Sequence, residues 1–353
     1  MKQHNAVIVG YGGMGRYHYQ ELCKTERICY NGVYDIDQSR MELAKEDGIE
    51  TMYSSFEDAI ADPNVELVLI STPNNFHMDL TCAALRAGKA VICEKPVAMS
   101  SDELQIMMDT AKETGSLFTI HQNRRRDADF LEMRRVVEQG LLGKVFEIES
   151  RVIGSRGIPE GWRQYTVAGG GMMLDWGVHL IDQIMYMLPG RVKTVYCELF
   201  HVNYSECDDG FKLFLTFEDG PSAMVEVGTS HYIKAPRWYV NGDRGGLTIP
   251  DWDCNGVIIH AKDRDVTWEE EIVYTKAGPT KTMAPRSHDT VEEIVIDGTG
   301  LFADYDAYYR NIADVLDGVA APAVLPEEAM RVMRVMEAAF ESDRTHQAVC
   351  GSF

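Results

Sequence analysis

The sequence predicts an α/β protein in two parts: an N-terminal doubly wound parallel sheet, then an α+β part built on a large open, mostly antiparallel sheet. Three observations predict it. Short apolar runs of strand length alternate with helical stretches up to about residue 125. A glycine turn, Gly10-x-Gly12-x-x-Gly15, follows the first of those runs directly. Beyond residue 140 the runs are separated by Asp-Gly, Glu-Asp-Gly and Gly-Asp-Arg-Gly-Gly turns, the punctuation of hairpins. At 353 residues the chain is longer than one hydrophobic core usually grows, so a division into 1–125 and 126–353 is expected.

Ala6–Val9 reads as a strand buried on both faces, leading straight into the glycine turn. Gly10 permits the tight bend, Gly12 lets backbone approach a pyrophosphate, and Gly15 lets the next helix close on the strand, with Gly13 and Met14 between them. A second strand, Gly32–Asp35, ends in an acid about 20 residues after Gly15, where a ribose-binding carboxylate belongs. Asp35 would accept from ribose hydroxyls and repel a 2'-phosphate, so NAD is the expected cofactor over NADP. Helices at Arg40–Glu46 and Phe56–Ala61 precede a buried strand, Glu66–Ser71. Ligands of an open parallel sheet bind outside the carboxyl ends of its strands, so Thr72, Pro73, Asn75 and His77 are expected along the cofactor's path. A helix at Met78–Ala87 leads to the strand Ala90–Cys93, ended by Glu94-Lys95-Pro96, where Glu94 and Lys95 join the same list. A helix at Asp102–Lys112 and a strand at Leu117–Ile120 complete this part, followed by the polar cluster from His121 to Arg126.

In the second part, Val145–Val152, Lys193–Val202, Phe211–Phe217, Ser222–Thr229 and Trp238–Asn241 carry strand signals. A helix over Gly169–Met187 interrupts them. Its apolar rows, Met173, Trp176, Leu180, Ile184, Met187 and Leu174, Val178, Ile181, Met185, cover most of the circumference and predict burial. One polar seam remains: Asp175, His179 and Asp182, which helical spacing sets within roughly 60° of one another. Ionisable groups are not left unpaired in a core, so the seam is expected to face a cleft, with Asp182 serving neighbouring Arg or His residues. Residues 261–300 read as strands with long loops, and Asp304–Leu316 and Glu327–Glu341 as closing helices. An open sheet leaves one apolar face free, which suggests a homo-oligomer, a dimer or a tetramer.

Composition narrows the function. The chain is 45% hydrophobic and 25% charged, a soluble globular balance. With 34 Lys and Arg against 55 Asp and Glu, its formal charge of -21 would repel a polyphosphate backbone or an anionic membrane surface. No apolar run approaches the roughly 20 residues that span a bilayer. The chain enters its first strand without a secretory leader, and its eight cysteines show no C-x-x-C spacing, so a cytoplasmic protein with reduced thiols is expected. No metal is expected: His288, Asp289, Glu292 and Glu293 lack a ligand set of usual spacing and are assigned to solvent, while His18, His77 and His121 are assigned to hydrogen-bonded structure and not to catalysis, His77 with a place along the cofactor cleft.

The motifs Gly10-x-Gly12-x-x-Gly15, Glu94-Lys95-Pro96, Asn123-Arg124-Arg125, Gly169-Gly-Gly-x-x-x-Asp175-x-Gly-x-His179-x-x-Asp182 and the closing Glu327-Glu-Ala resemble, in order and spacing, the Gfo/Idh/MocA oxidoreductase family. The resemblance covers essentially the whole chain. It implies a Rossmann domain followed by an α/β domain whose open sheet makes dimer or tetramer contacts. It also implies Lys95 beside the nicotinamide and the reacting hydroxyl, Asp175 and His179 as the substrate-domain pair, and Trp162-Arg163 near the nicotinamide end of the cofactor. Asn123 and Arg124 would contact substrate, and Arg126 departs from the phenylalanine that often follows in that motif.

The chemistry agrees with the resemblance. Oxidising a secondary alcohol needs a proton acceptor and a fixed polar group near the hydroxyl oxygen. His179 is the natural acceptor, Lys95 a fixed cation for developing negative charge, and Asp175 a partner for a hydroxyl or for the imidazole. The expected function is NAD-dependent oxidation of a secondary hydroxyl on a sugar, glycoside (C3 of a glucoside in particular) or cyclitol. Two alternatives stand beside it: a redox-neutral, NAD-dependent glycosidase, and a non-catalytic NAD-binding regulatory subunit.

Overall fold

The computed structural model describes residues 2–188, 190–203, 206–263, 272–281 and 286–353. Part of the strand-and-loop expectation for residues 261–300 therefore lies outside the described residues. In the first part, β1 (His4–Val9), β2 (Ile28–Tyr34), β3 (Thr51–Met52), β4 (Leu67–Ile70), β5 (Ala90–Cys93) and β6 (Phe118–Ile120) form one parallel sheet. Its helices are α1 (Gly13–Tyr17), α2 (Gln38–Glu46), α3 (Phe56–Ala61), α4 (His77–Arg86) and α5 (Ser101–Thr114). The strand order is β3-β2-β1-β4-β5-β6, so the direction of winding reverses between β1 and β4. That switch opens the crevice in which such sheets bind ligands.

The elements form for local reasons. All four residues of β4 and of β5 are buried, as unalternating apolar runs require when helices cover both faces. Ser100 caps α5 by accepting from the Glu103 N–H at 3.2 Å, and Gly115 ends that helix in the left-handed region at φ 68°. A further helix, α6 (Ala128–Glu138), follows the polar cluster. The sequence reading did not assign it, because its acidic and basic residues dilute the apolar period.

The second sheet has nine strands, with β7 (Val145–Ile153) near its centre. Around it run β8 (Val192–Phe200), β9 (Gly210–Phe217), β10 (Ser222–Gly228), β11 (Trp238–Gly242), β12 (Gly245–Ile249) and β13 (Gly256–Ala261). All the neighbouring pairs recorded in this sheet are antiparallel apart from β7 with β10, which run parallel. One face carries α7 (Val178–Met187) and the C-terminal helix α9 (Pro326–Thr345). On the other, Phe146, Tyr196, Phe214 and Tyr239 are exposed. The helix α8 (Asp306–Leu316) returns to the first sheet, where Tyr308 and Tyr309 are buried against His121 and His18. Helix α9 is long enough to touch both parts: it lies on β8 and α7 and also on α5 and β6. Among the described residues no helix is long and apolar enough to cross a membrane. All eight cysteines are free thiols.

Candidate active site

The turn after β1 is shaped for a bulky anion. Gly10 sits at φ 92°, and a Cβ there would meet the Ser71 carbonyl oxygen at 2.8 Å. A Cβ on Gly15 would lie 2.1 Å from the Gly10 carbonyl oxygen, so the α1 backbone and the turn touch with no room between them. Gly12 and Gly13, by contrast, have nothing within 4 Å of such an atom, which leaves their backbone open to an approaching group. Gly15→Ala is expected to abolish dinucleotide binding, since the obstacle is backbone and cannot rotate away; retained cofactor affinity in a fluorescence titration would contradict this geometry.

From this turn a cleft of about 630 Å³ runs along the carboxyl ends of β1, β2, β4 and β5. Gly12, Gly13, Met14, Asp35, Thr72, Pro73, Lys95, Trp162 and Arg163 line it, together with Asp175 from the second part. The volume and the mixed apolar and polar lining suit a cofactor. Asp35 is held at the end of β2: its Oδ2 accepts the Tyr11 N–H at 2.7 Å and its Oδ1 the Asp37 N–H at 2.9 Å. Each carboxylate oxygen retains a second lone pair for a hydroxyl.

Two expected cofactor contacts, His77 and Asn75, are corrected. His77 is fully buried, with its ring nitrogens on the Pro96 and Thr72 carbonyl oxygens at 2.9 Å each, so it ties two loops together beneath the cleft. Asn75 points to solvent because a 3₁₀ turn at Asn74–Phe76 rotates it outward. Asn74 takes its place at the cleft, donating to the Gly169 carbonyl oxygen at 2.9 Å and joining the β4 loop to the triple-glycine turn. Glu94 lines the cleft as expected, while its carboxylate reaches below it: Oε1 meets His18 Nε2 at 2.7 Å and His121 Nδ1 at 2.8 Å, and Oε2 accepts the Lys95 N–H at 3.0 Å. It supports Lys95 from below.

The polar seam opening the α7 region divides by role. The first turn, Met173–Gly177, is π-helical, and α7 proper starts at Val178, which separates Asp175 from the regular face predicted for it. Asp175 reaches the cleft, where its Oδ1 accepts from Lys95 Nζ at 3.0 Å and its Oδ2 from Arg163 Nε at 3.2 Å. Lys95 Nζ also donates to the Asp175 carbonyl oxygen at 3.1 Å. Burial alone would raise the Asp175 carboxyl, but the two cations outweigh it and hold it below the usual carboxylate range. His179, one turn on, is only 5% exposed. Its burial, with the Lys95 and Arg124 cations nearby, holds the imidazole well below its ordinary value, so it is neutral and free to accept a proton at neutral pH. Asp182 leaves the cleft altogether and receives Arg125 Nε and Nη2, both at 2.7 Å.

Arg124, an expected substrate contact, lies with its guanidinium carbon 4.1 Å from the Trp176 ring centre and donates to Asp127 at 2.9 Å. Asn123 opens the same 3₁₀ turn. Beside them stands Trp252, half exposed and 6.0 Å from Trp176 between ring centres. Nothing in its local sequence marked Trp252, because only the pairing of β12 with β13 brings their connecting turn to the site. The start of the seam is fixed by Asp208, whose Oδ2 accepts the Met173 N–H at 2.7 Å. Burial raises that carboxyl to about 6 against the pull of its backbone donors.

Stability should fall as pH drops below about 6.5, the unperturbed histidine value. His18 is lowered to about 4, mainly by burial, and His77 and His179 are lowered too. Below pH 6.5 the unfolded chain binds protons that these three refuse, so it gains on the folded state. For His18 the full loss at pH 4 is on the order of 3 kcal/mol. Asp208, raised to about 6, acts oppositely from that pH downward, as do the raised Asp127 and Asp182, but three groups lead in the band just below 6.5. Melting temperatures measured from pH 7.5 to 5.5 should decline, and a flat or rising series would refute this account.

A phosphate-shaped turn, a ribose carboxylate and a lysine–aspartate pair around one cleft make this an NAD(P)-dependent oxidoreductase. The comparisons with known proteins agree. Residues 4–122 match the oxidoreductase family with an NAD-binding Rossmann fold, and residues 130–248 match the GFO/IDH/MocA C-terminal domain. The chain belongs to the Gfo/Idh/MocA oxidoreductase family. It is 28% identical to scyllo-inositol 2-dehydrogenase (NADP(+)) IolW of Bacillus subtilis over 349 residues, 97% of this chain and 94% of that one. It is 30% identical to D-glucoside 3-dehydrogenase of Escherichia coli over 200 residues, 55% of this chain and 57% of that one. An NAD-binding protein from Listeria innocua superposes with a TM-score of 0.93 at 42% identity, covering 99% of this chain and all of the other.

Proposed function

We propose that the protein oxidises a secondary hydroxyl of a sugar, glycoside or cyclitol, with NAD as cofactor. The observation that carries this reading is the Lys95–Asp175 pair: a cation from the end of β5 meets an acid from the α7 region at the cofactor cleft, with neutral His179 one turn behind. When bound, the nicotinamide supplies a hydride acceptor. Lys95 holds the substrate oxygen as negative charge develops on it, and Asp175 orients Lys95 and accepts from a substrate hydroxyl. His179 removes the hydroxyl proton. Trp176 and the exposed face of Trp252 offer apolar ring surface against which the C–H face of a sugar or cyclitol can lie.

Two relatives whose names specify a cyclitol and a glucoside support that substrate class. NAD is favoured by the Asp35 carboxylate, which stands in the cleft and would repel a 2'-phosphate. We further propose a homo-oligomer held through the open face of the nine-stranded sheet, where Phe146, Tyr196, Phe214 and Tyr239 are exposed. The deciding experiment follows reduced cofactor across monosaccharides, cyclitols and O- or C-glycosides, with NAD and NADP in parallel. NADH accumulation with at least one ring alcohol is expected. Aglycone release without NADH would replace this reading with a redox-neutral glycosidase, and a preference for NADP would remove the Asp35 argument.

A further inference from the structure

Past the reacting groups the site continues as a line of rings. The His179 ring centre lies 6.0 Å from that of Trp176, edge to face at 68°. The Trp176 ring centre lies 6.0 Å from that of Trp252, with the two planes inclined at 49°. Both spacings fall within the separation of about 4.5–7 Å at which one ring packs on the next. Arg124 fills the corner between the indoles: its guanidinium carbon is 4.1 Å from the Trp176 ring centre and 5.6 Å from that of Trp252. Among the described residues Trp252 makes its ring contact with Trp176 and not with His179, and it does not line the cofactor cleft. It therefore stands one ring's width beyond the reacting groups, outside the path of the cofactor.

Trp252 is held there by its neighbours and not by its own burial. It sits in the turn between β12 and β13, where the Asp251 carboxylate accepts the Asp253 N–H at 3.1 Å and the Asp251 carbonyl oxygen accepts the Cys254 N–H at 3.3 Å. The Pro250 carbonyl oxygen accepts the Arg237 N–H at 3.1 Å. Arg237 lies against the ring, its guanidinium carbon 5.1 Å from the ring centre, and is itself fixed by donating to Ser150 Oγ at 2.6 Å and Gln183 Oε1 at 3.1 Å. Trp238, by comparison, is fully buried and spends its N–H on Asp129 at 2.9 Å. Trp252 keeps half its surface in solvent on a turn that is already ordered. An aromatic face fixed before binding loses little entropy when another ring lies on it.

We propose that Trp252 is a specificity-determining residue: it stacks the second ring of a two-ring glycoside whose first ring is oxidised at Lys95 and His179. The proposal rests on the functional reading above and narrows its substrate class from ring alcohols to glycosides with a ring-bearing aglycone. The reacting ring stays beside Asp175 and Trp176, because its hydroxyl must come within hydrogen-bond reach of His179 and Lys95. A single ring in that place leaves Trp252 unused. A second ring joined to it through one bridging atom falls one ring's width farther out, where Trp252 stands, and two rings so joined are inclined to one another as the two indole planes are. Trp176 then takes the C–H face of the sugar and Trp252 the face of the aglycone, while Arg124, tied to Asp127 at 2.9 Å, fixes the corner between them.

The test sets binding beside turnover. Phenyl β-D-glucoside, glucose and myo-inositol are titrated calorimetrically into the complex of the full-length protein with NADH, and the same three are assayed for NAD reduction. The phenyl glucoside should bind about 10-fold more tightly than either single ring, the worth of one added aromatic contact. Trp252→Ala should remove that advantage and raise KM for the glucoside about 10-fold, with the loss in KM and not in kcat. NADH affinity within about twofold of wild type would show that the variant is folded, and Trp252→Phe should restore most of the advantage. Equal affinity of the wild type for all three compounds, binding of none of them, or an equal loss for all three in Trp252→Ala would overturn the proposal. Tight glucoside binding without NAD reduction would keep the subsite and remove the dehydrogenase reading. NAD reduction by the single rings at the same kcat/KM as by the glucoside would keep that reading and overturn the subsite.

Discussion

Lys95→Ala should lower kcat by about 10²- to 10³-fold while leaving NAD affinity nearly unchanged, the usual effect of deleting one preorganised charge at a reacting oxygen. The reason is local. Lys95 Nζ is the cation bound to both the side chain and the backbone oxygen of Asp175 at the cleft, so nothing else in that pair can meet charge on a substrate oxygen. The variant should also leave a signature that misfolding would not. Lys95 is one of the cations that lower His179, and its removal lets the imidazole rise toward its ordinary value. A base with a higher pKa is protonated at higher pH, so the acid limb of kcat/KM should move upward in pH. A rate loss with an unmoved acid limb would separate Lys95 from His179. His179→Ala should lower kcat by about 10²-fold or more and abolish that limb.

Arg125→Ala should be the most destabilising single change near the site, by about 3–5 kcal/mol, and should lower the melting temperature by roughly 5–10 °C. Arg125 places Nε and Nη2 on the two oxygens of Asp182, which is 2% exposed, and Nη1 on Glu328 at 2.8 Å. The residue joins the polar cluster after β6 to α7 and to the first turn of α9. Truncating it strands the Asp182 carboxylate in a dry site, and burial has already raised that group despite the arginine. Pairing Arg125→Met with Asp182→Leu should recover most of the loss, since apolar side chains of similar size carry no desolvation penalty. Thermal melts of the two single variants and the double variant give the coupling directly. Additive losses would show that Arg125 stabilises through its stacking on the Tyr186 ring, 4.3 Å away, and not through Asp182.

The features legible in sequence were those with short-range causes. Gly15 is set by backbone crowding against Gly10 within the six-residue turn, and β4 and β5 announce themselves as unbroken apolar runs. Lys95, Asp175 and His179 were found because each sits in a recurrent motif, and the structure brings Lys95 to Asp175 at 3.0 Å. What failed was direction. His77 and Asn75 sit at the right strand end, yet a single 3₁₀ turn and the carbonyls of Thr72 and Pro96 decide that they face away from the cofactor path. A strand end specifies a position in space but not which of two or three consecutive side chains turns toward the cleft.

The sequence by itself determined the parallel first sheet, the open antiparallel second sheet and the residue types needed for a nicotinamide-dependent reaction. All follow from periodicity, glycine sterics and side-chain chemistry, which act over a few residues. Only the tertiary structure decided that Asp182 belongs to Arg125, that Trp252 stands beside Trp176, and that Glu94 shares two histidines under Lys95. Those pairings join residues 27 to 76 positions apart, and they are settled by which buried charge must be neutralised where two sheets and the returning C-terminal helices meet.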